Sequence, residues 1–180
     1  QDERYFQAAQ AAATALVRGQ LESGGWDYVI DFDPQNSRRW YRRSDHGQLS
    51  EAEIRQRRNV TTFDDDNTQS AVRFLMVLLK AGQNKKNAPL DEVREALEHS
   101  LKKMLEAQYP NGAWPQRYNG RPREPGQHPV QKARIPERYP REHPKHDYYD
   151  YYTLNDHTQS DCIRTMIEAC HHFGRREYLE

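Results

Sequence analysis

The sequence predicts an all-α fold made of helical hairpins that repeat along the chain, and three observations predict it. Gln20-Leu-Glu-Ser-Gly24-Gly-Trp26 and Gln108-Tyr-Pro-Asn-Gly112-Ala-Trp114 share the pattern Q-x-x-x-G-x-W, 88 positions apart (20 to 108). An acidic motif follows each of them in the same order. Phe63-Asp-Asp-Asp-Asn-Thr68-Gln-Ser70 and Leu154-Asn-Asp-His-Thr158-Gln-Ser160 lie 90 positions apart (68 to 158). Around both pairs the apolar residues recur at helical spacing, the mark of amphipathic helices. Two motifs repeated in order at nearly one period are the signature of a stacked repeat.

The elements follow in order. Residues 3–19 are rich in Ala and carry Phe6, Ala9, Ala13, Leu16 and Val17 on one stripe. The first Q-x-x-x-G-x-W turn ends that helix. A second helix over 68–81 starts at the acidic motif and aligns Val72, Leu75, Met76 and Leu79. Asp91 suits an N-cap for a third helix, which places Val93, Leu97, Leu101, Met104 and Leu105 inward. The last full helix, about 158–172, carries Cys162, Ile163, Met166, Ile167 and Cys170, and Arg175–Glu180 begins another. Each hairpin needs a neighbour to cover its apolar face. The expected architecture is therefore part of an (α/α) toroid with long polar loops: a single partial domain, 1–180, that stops before the C-terminal half.

Composition narrows the function. Only 35% of the residues are hydrophobic and 30% are charged, against roughly 45–50% apolar residues in ordinary domains. Lys plus Arg (27) balances Asp plus Glu (27), so no global field recruits nucleic acid or a membrane surface. No apolar run is long enough for a membrane span. Cys162 and Cys170, eight residues apart on one helix, are separated by about 12 Å. That is too far for a disulfide, and both are expected as small core residues.

The charge that matters is local. Asp64, Asp65 and Asp66 stand together before a helix start. One acid there caps a helix, but three repel one another, and a hard cation accounts for the excess because Ca²⁺ takes six to eight oxygen ligands. Asn155 and Asp156 occupy the same place in the next unit, with His157 beside them, so stacked hairpins would bring the two acidic sets to one rim. Between Tyr109 and Asp150 lies a long loop holding eight of the ten prolines, with Arg117, Arg121, Arg123, Lys132, Arg134, Arg138, Arg141 and Lys145, and closing near Tyr148, Tyr149, Tyr151 and Tyr152. Tyrosine offers a flat face and arginine a fork for a carboxylate. The pair suits a groove that grips a sugar acid. His143 and His146 in the same loop are a weaker candidate metal pair.

The string Tyr109-Pro-Asn-Gly-Ala-Trp-Pro-Gln116, followed by Tyr152-Thr-Leu-Asn-Asp156, resembles the pectate lyases of polysaccharide lyase family 10. Their usual wording is P-N-G-G-W-P-Q with a T-F-N-D-like turn. Thr61-Thr-Phe-Asp-Asp65, with Thr68 and Arg73-Phe-Leu75, is similar to that family's T-x-D-N-x-A-T segment. The resemblance implies an active-site role for Asp64 and Ca²⁺ binding by Asp65 and Asp156, with Asp66 adding a further carboxylate. Asn155, His157, Trp114 and Arg117 would then contact the substrate, pectate or a related polyuronate. It also implies an arginine base belonging to the C-terminal half. Asp65 departs from the family's Asn, Asp66 from a small residue and Ala113 from Gly.

Two other readings compete. The Q-x-x-x-G-x-W turns and Asp64-Asp-Asp-Asn-Thr68 are also similar to class II terpene cyclases, but Asn67 replaces that motif's last acid and the chain is too hydrophilic for a carbocation cavity. A non-catalytic binder of acidic polysaccharide is the second. A polymeric substrate implies a secreted or periplasmic protein, since a polymer does not cross a membrane intact.

Overall fold

Helix periodicity dominates the fold as it dominates the sequence. The computed structural model describes residues 3–83, 85, 89–130, 137–138, 149, 151–154 and 156–179. Among the described residues five α-helices follow in order: α1 (Glu3–Gly19), α2 (Glu51–Gln56), α3 (Asn67–Gly82), α4 (Asp91–Ala107) and α5 (Thr158–Phe173). The fold is all-α. Among the described residues no helix is long and apolar enough to cross a membrane.

Helix α3 is the centre. It packs against α1, α4 and α5, and Val72, Leu75, Met76, Leu78 and Leu79 are buried along it. Leu97 and Leu101 of α4 and Cys162 of α5 are fully enclosed. Each such aliphatic side chain contributes about 1.5–3 kcal/mol by leaving water. Cys162 and Cys170 are both unbridged. Burial pushes the Cys162 thiol up, against a hydrogen bond from Gln69, so it stays protonated and serves as packing.

The repeat is physical. Helices α1 and α4 each have 17 residues, and the turn after each is closed by the same bonds. Gln20 Nε2 donates to Gly24 O (3.0 Å) and Gln108 Nε2 to Gly112 O (2.9 Å). Leu21 N donates to Gly25 O and Tyr109 N to Ala113 O. Trp26 Nε1 donates to Leu16 O and Trp114 Nε1 to Met104 O, both at 2.8 Å. Buried Thr68, Val72, Leu75, Met76 and Leu79 match buried Thr158, Cys162, Thr165, Met166 and Ala169 at the 90-residue spacing.

Three details depart from expectation. Asp91 is the first residue of α4 rather than its cap, which is Leu90 without a side-chain bond; Asp91 acts on the helix dipole instead. Helix α2 falls where no helix was expected, although Ser50-Glu-Ala-Glu53 is a capping box with both reciprocal bonds made. A two-stranded antiparallel ladder joins β1 (Thr61–Thr62) to β2 (Arg117–Tyr118). Phe63 N extends it by donating to Gln116 O at 2.8 Å. This short ladder carries the first acidic motif to the second Q-x-x-x-G-x-W turn.

Candidate functional site

The acidic motif forms a tight turn because its backbone leaves the right-handed helical region. Asp65 (φ 52°) and Asp66 (φ 57°) are both left-handed, and so are Asp156 (φ 56°) and His157 (φ 58°). Asp is among the few side chains that tolerate this region, yet two in succession are strained, a condition that concentrates at functional sites. By backbone conformation the partner of Asp156 is Asp65, one residue away from the pairing expected from Thr68 and Thr158. Asn67 is the additional residue of the first unit, and its amide spans to the carbonyls of Trp26 (3.2 Å) and Asp27 (3.3 Å).

The three adjacent aspartates diverge. Asp66 turns inward and pairs with Arg73, whose other arm donates to Thr165 Oγ1 at 2.8 Å on α5. The second oxygen of Asp66, Oδ1, is buried without a hydrogen-bond partner among the described residues. Asp64 and Asp65 turn outward and meet at Tyr28, whose hydroxyl lies 3.0 Å from Asp65 Oδ2 and 3.3 Å from Asp64 Oδ2. One hydroxyl proton serves only one of them at a time, so this pair is under-compensated. Asp64 Oδ1 also accepts from Asp65 N (3.1 Å) and from Gln116 Nε2 (3.4 Å).

The Arg117 guanidinium lies over the rings of Tyr28 (5.3 Å) and Tyr149 (5.7 Å), and its Nη1 reaches Thr62 Oγ1 at 3.4 Å. Stacking on tyrosine holds the fork while leaving its donors available. Tyr28 is itself placed from below. Its backbone N–H donates to buried Asp27, which also takes Trp40 Nε1 (3.0 Å) and Arg58 Nε (3.1 Å).

Tyr28 is strongly resistant to ionisation. Burial, the Asp65 hydrogen bond and the charges of Asp64 and Asp65 all raise its pKa, and Arg117 only partly opposes them. A tyrosine whose folded pKa is raised adds stability below its unfolded value of about 10, and that contribution is lost as pH rises beyond it. Tyr28→Phe should therefore leave the absorbance change of tyrosine titration between pH about 9 and 11 unaltered in amplitude. A drop by one tyrosine in that window would show that Tyr28 ionises normally and does not bridge the two acids.

The other expected site residues are distributed as follows. Asp156 and His157 are exposed at the start of α5, which packs on the Asp64–Asp66 turn. His157 caps α5 through its carbonyl, which accepts from Asp161 N (2.9 Å) and Ser160 Oγ (2.8 Å). Trp114, expected to touch substrate, is instead 4% exposed with its indole N–H spent on Met104 O; its part is packing. Asn155, and the loop residues Lys132, Arg134, Arg141, His143, Lys145, His146, Tyr148 and Asp150, lie outside the described residues. Among the described residues no three acids, histidines or cysteines gather as a complete metal cage. Tyr28, Gln116 and Arg73 were missed from the sequence. Gln116 stood inside the recognised string, whereas Tyr28 lies in a loop with no repeated counterpart.

The family model described as pectic acid lyase matches residues 32–175, which takes in the acidic turn, Arg117 and α5. No curated protein and no solved structure matches the chain.

Proposed function

This chain belongs to the pectic acid lyase family, and on that premise we propose that it cleaves pectate or a related polyuronate by Ca²⁺-assisted β-elimination. The observation that carries this reading is the convergence of Asp64 and Asp65 on the Tyr28 hydroxyl, beside the stacked Arg117.

In β-elimination the C5–H bond of a uronate breaks and its proton passes to a base, a double bond forms between C4 and C5, and the C4–O bond breaks as the leaving sugar oxygen takes up a proton. Negative charge builds on the uronate carboxylate as the proton leaves, so the site must stabilise charge there. Arg117 suits the carboxylate as a fork held by two aromatic rings. Gln116, buried and tied to Asp64, fixes the orientation of that acid.

The fit to a cation rests on the Asp64 and Asp65 oxygens, which lie within 3.3 Å of one common point, the Tyr28 oxygen. Two carboxylate oxygens are fewer than the six to eight that Ca²⁺ takes, so the residues suit a cation shared with the sugar carboxylate rather than one caged by protein. Bound there, Ca²⁺ would supply Lewis-acid polarisation of that carboxylate. Asp64 and Asp65 would hold it, and Asp156, just before α5, which packs on the same turn, is the proposed third ligand. Asp66 is committed to Arg73 and is left out of this set. Within this reading the chain acts outside the cytoplasm, where the polymer is, and α1 to α5 form part of a helical toroid.

The test is incubation with polygalacturonate and Ca²⁺, following the ultraviolet absorbance of the unsaturated product. We expect a rise that chelator abolishes. No rise from a folded protein in its longest natural form, with oligouronate still bound, would replace the lyase reading by a non-catalytic binder. The same assay on residues 1–180 alone locates the base, since turnover would place it within them.

A further inference from the structure

A second candidate surface is aromatic rather than charged, and it is built around Tyr109 and Tyr152. Tyr109 closes the second Q-x-x-x-G-x-W turn, with its backbone N–H on Ala113 O at 2.8 Å. Its ring meets the ring of Tyr152 at 5.3 Å and that of His128 at 5.1 Å, both edge-on. With Pro129, Val130 and Tyr151 these rings line a pocket of about 280 Å³. The wall is fixed: the Arg123 guanidinium lies 5.1 Å from the Tyr109 ring, Arg123 N donates to Glu106 O of α4, and His128 N donates to Glu124 O.

The corresponding turn of the first unit carries an aliphatic side chain instead. Leu21 stands where Tyr109 stands, is fully buried, and pairs with Arg42 in an isolated bridge. The second unit thus departs from the repeat by opening an aromatic hollow. Tyr151 and Tyr152 are nearly half exposed on its rim.

The pocket and the candidate site are close along the chain. Tyr149 stacks on Arg117 and Tyr152 lines the pocket three residues further on, a span of at most about 11 Å of chain. Among the described residues no carboxylate lines the hollow. Flat aromatic faces with Asn111, Gln127 and His128 between them suit the C–H face and hydroxyls of a pyranose ring.

We propose that this pocket is an outlying subsite for a glycosyl unit of the same polyuronate chain whose carboxylate engages Arg117. The proposal rests on the polyuronate reading above. The pocket grips by ring stacking, so it lengthens the stretch of polymer the protein recognises without taking part in bond breaking.

The test compares hexagalacturonate with trigalacturonate on the wild type, Tyr152→Ala, His128→Ala and Tyr152→Trp. Affinity is read as KM where the ultraviolet assay shows turnover and as Kd by calorimetry where it does not. Tyr152→Ala should weaken the hexamer about tenfold, leave the trimer and kcat within about twofold, and be rescued by Tyr152→Trp. His128→Ala should follow it in the same direction. Equal hexamer affinity in wild type and Tyr152→Ala overturns the subsite while the lyase reading stands. Variant-sensitive hexamer binding without any unsaturated product overturns the lyase reading while the subsite stands. A wild type that binds neither oligomer overturns both.

Discussion

Asp64→Asn is expected to lower the rate of polyuronate cleavage by about a hundredfold to a thousandfold while leaving the fold intact. The substitution keeps the shape of the side chain and its acceptor oxygen for Asp65 N and Gln116 Nε2. What it removes is one of the two negative charges that meet at Tyr28. Since those charges repel, the melting temperature should stay the same or rise by a degree or two, about the shift that a few tenths of a kcal/mol produces. The informative control is Asp66→Asn. Asp66 sits one residue from Asp65 but spends its charge on Arg73, a partly buried pair anchored on Thr165. Removing one partner of such a pair leaves the other under-satisfied, at a cost of about 1–3 kcal/mol. Asp66→Asn should thus lose stability more than catalysis, measured by denaturant unfolding beside the ultraviolet assay. Full activity in Asp64→Asn would show that the outward-facing pair is not the catalytic centre.

The helices were legible because their signal is long and periodic. Residues 3–19, 68–81 and 158–172 match α1, α3 and α5 to within a residue, and the buried stripes are those that spacing picks out. The repeat was legible for the same reason, since Gln, Gly and Trp do one structural job twice. What escaped has no period to betray it. A two-residue ladder such as Thr61–Thr62 with Arg117–Tyr118 is too short for alternation to appear, yet it decides which loop faces the acids. The left-handed pair at Asp65 and Asp66 is a matter of backbone torsion, and three identical letters in a row do not say which side chain turns inward. Only Arg73, about two turns along α3, resolves that by claiming Asp66. Trp114 was misplaced because tryptophan serves both as a sugar platform and as a core filler, and its indole N–H finds Met104 O at 2.8 Å in the interior. Tyr28 became visible only when its loop was folded back over the acids.

The two glycines of the repeated turn should differ sharply in what they tolerate, although the sequence presents them as equivalents. Gly24 has φ 105° and Gly112 φ 86°, both in the region where a Cβ clashes with its own backbone. Gly112→Ala should cost only that local strain, about 1–2 kcal/mol, because an added Cβ there meets nothing nearer than Gln108 Nε2 at 3.8 Å. Gly24→Ala carries the same strain and a collision besides. Its Cβ would stand 2.2 Å from Lys103 Cβ and 2.6 Å from Lys103 Cγ, on a helix whose position is set by Leu97, Leu101 and Met104 in the core. The near end of a side chain on a packed helix cannot swing aside, and overpacking of this kind adds about 1–3 kcal/mol. Denaturant unfolding of the two variants should therefore separate them by more than about 1 kcal/mol, with Gly24→Ala the weaker. Equal losses would mean that α4 does not press on the first turn. They would also remove the packing basis for treating the first turn as closed and the second as open, which is the asymmetry that leaves Tyr109 facing a pocket where Leu21 faces the core.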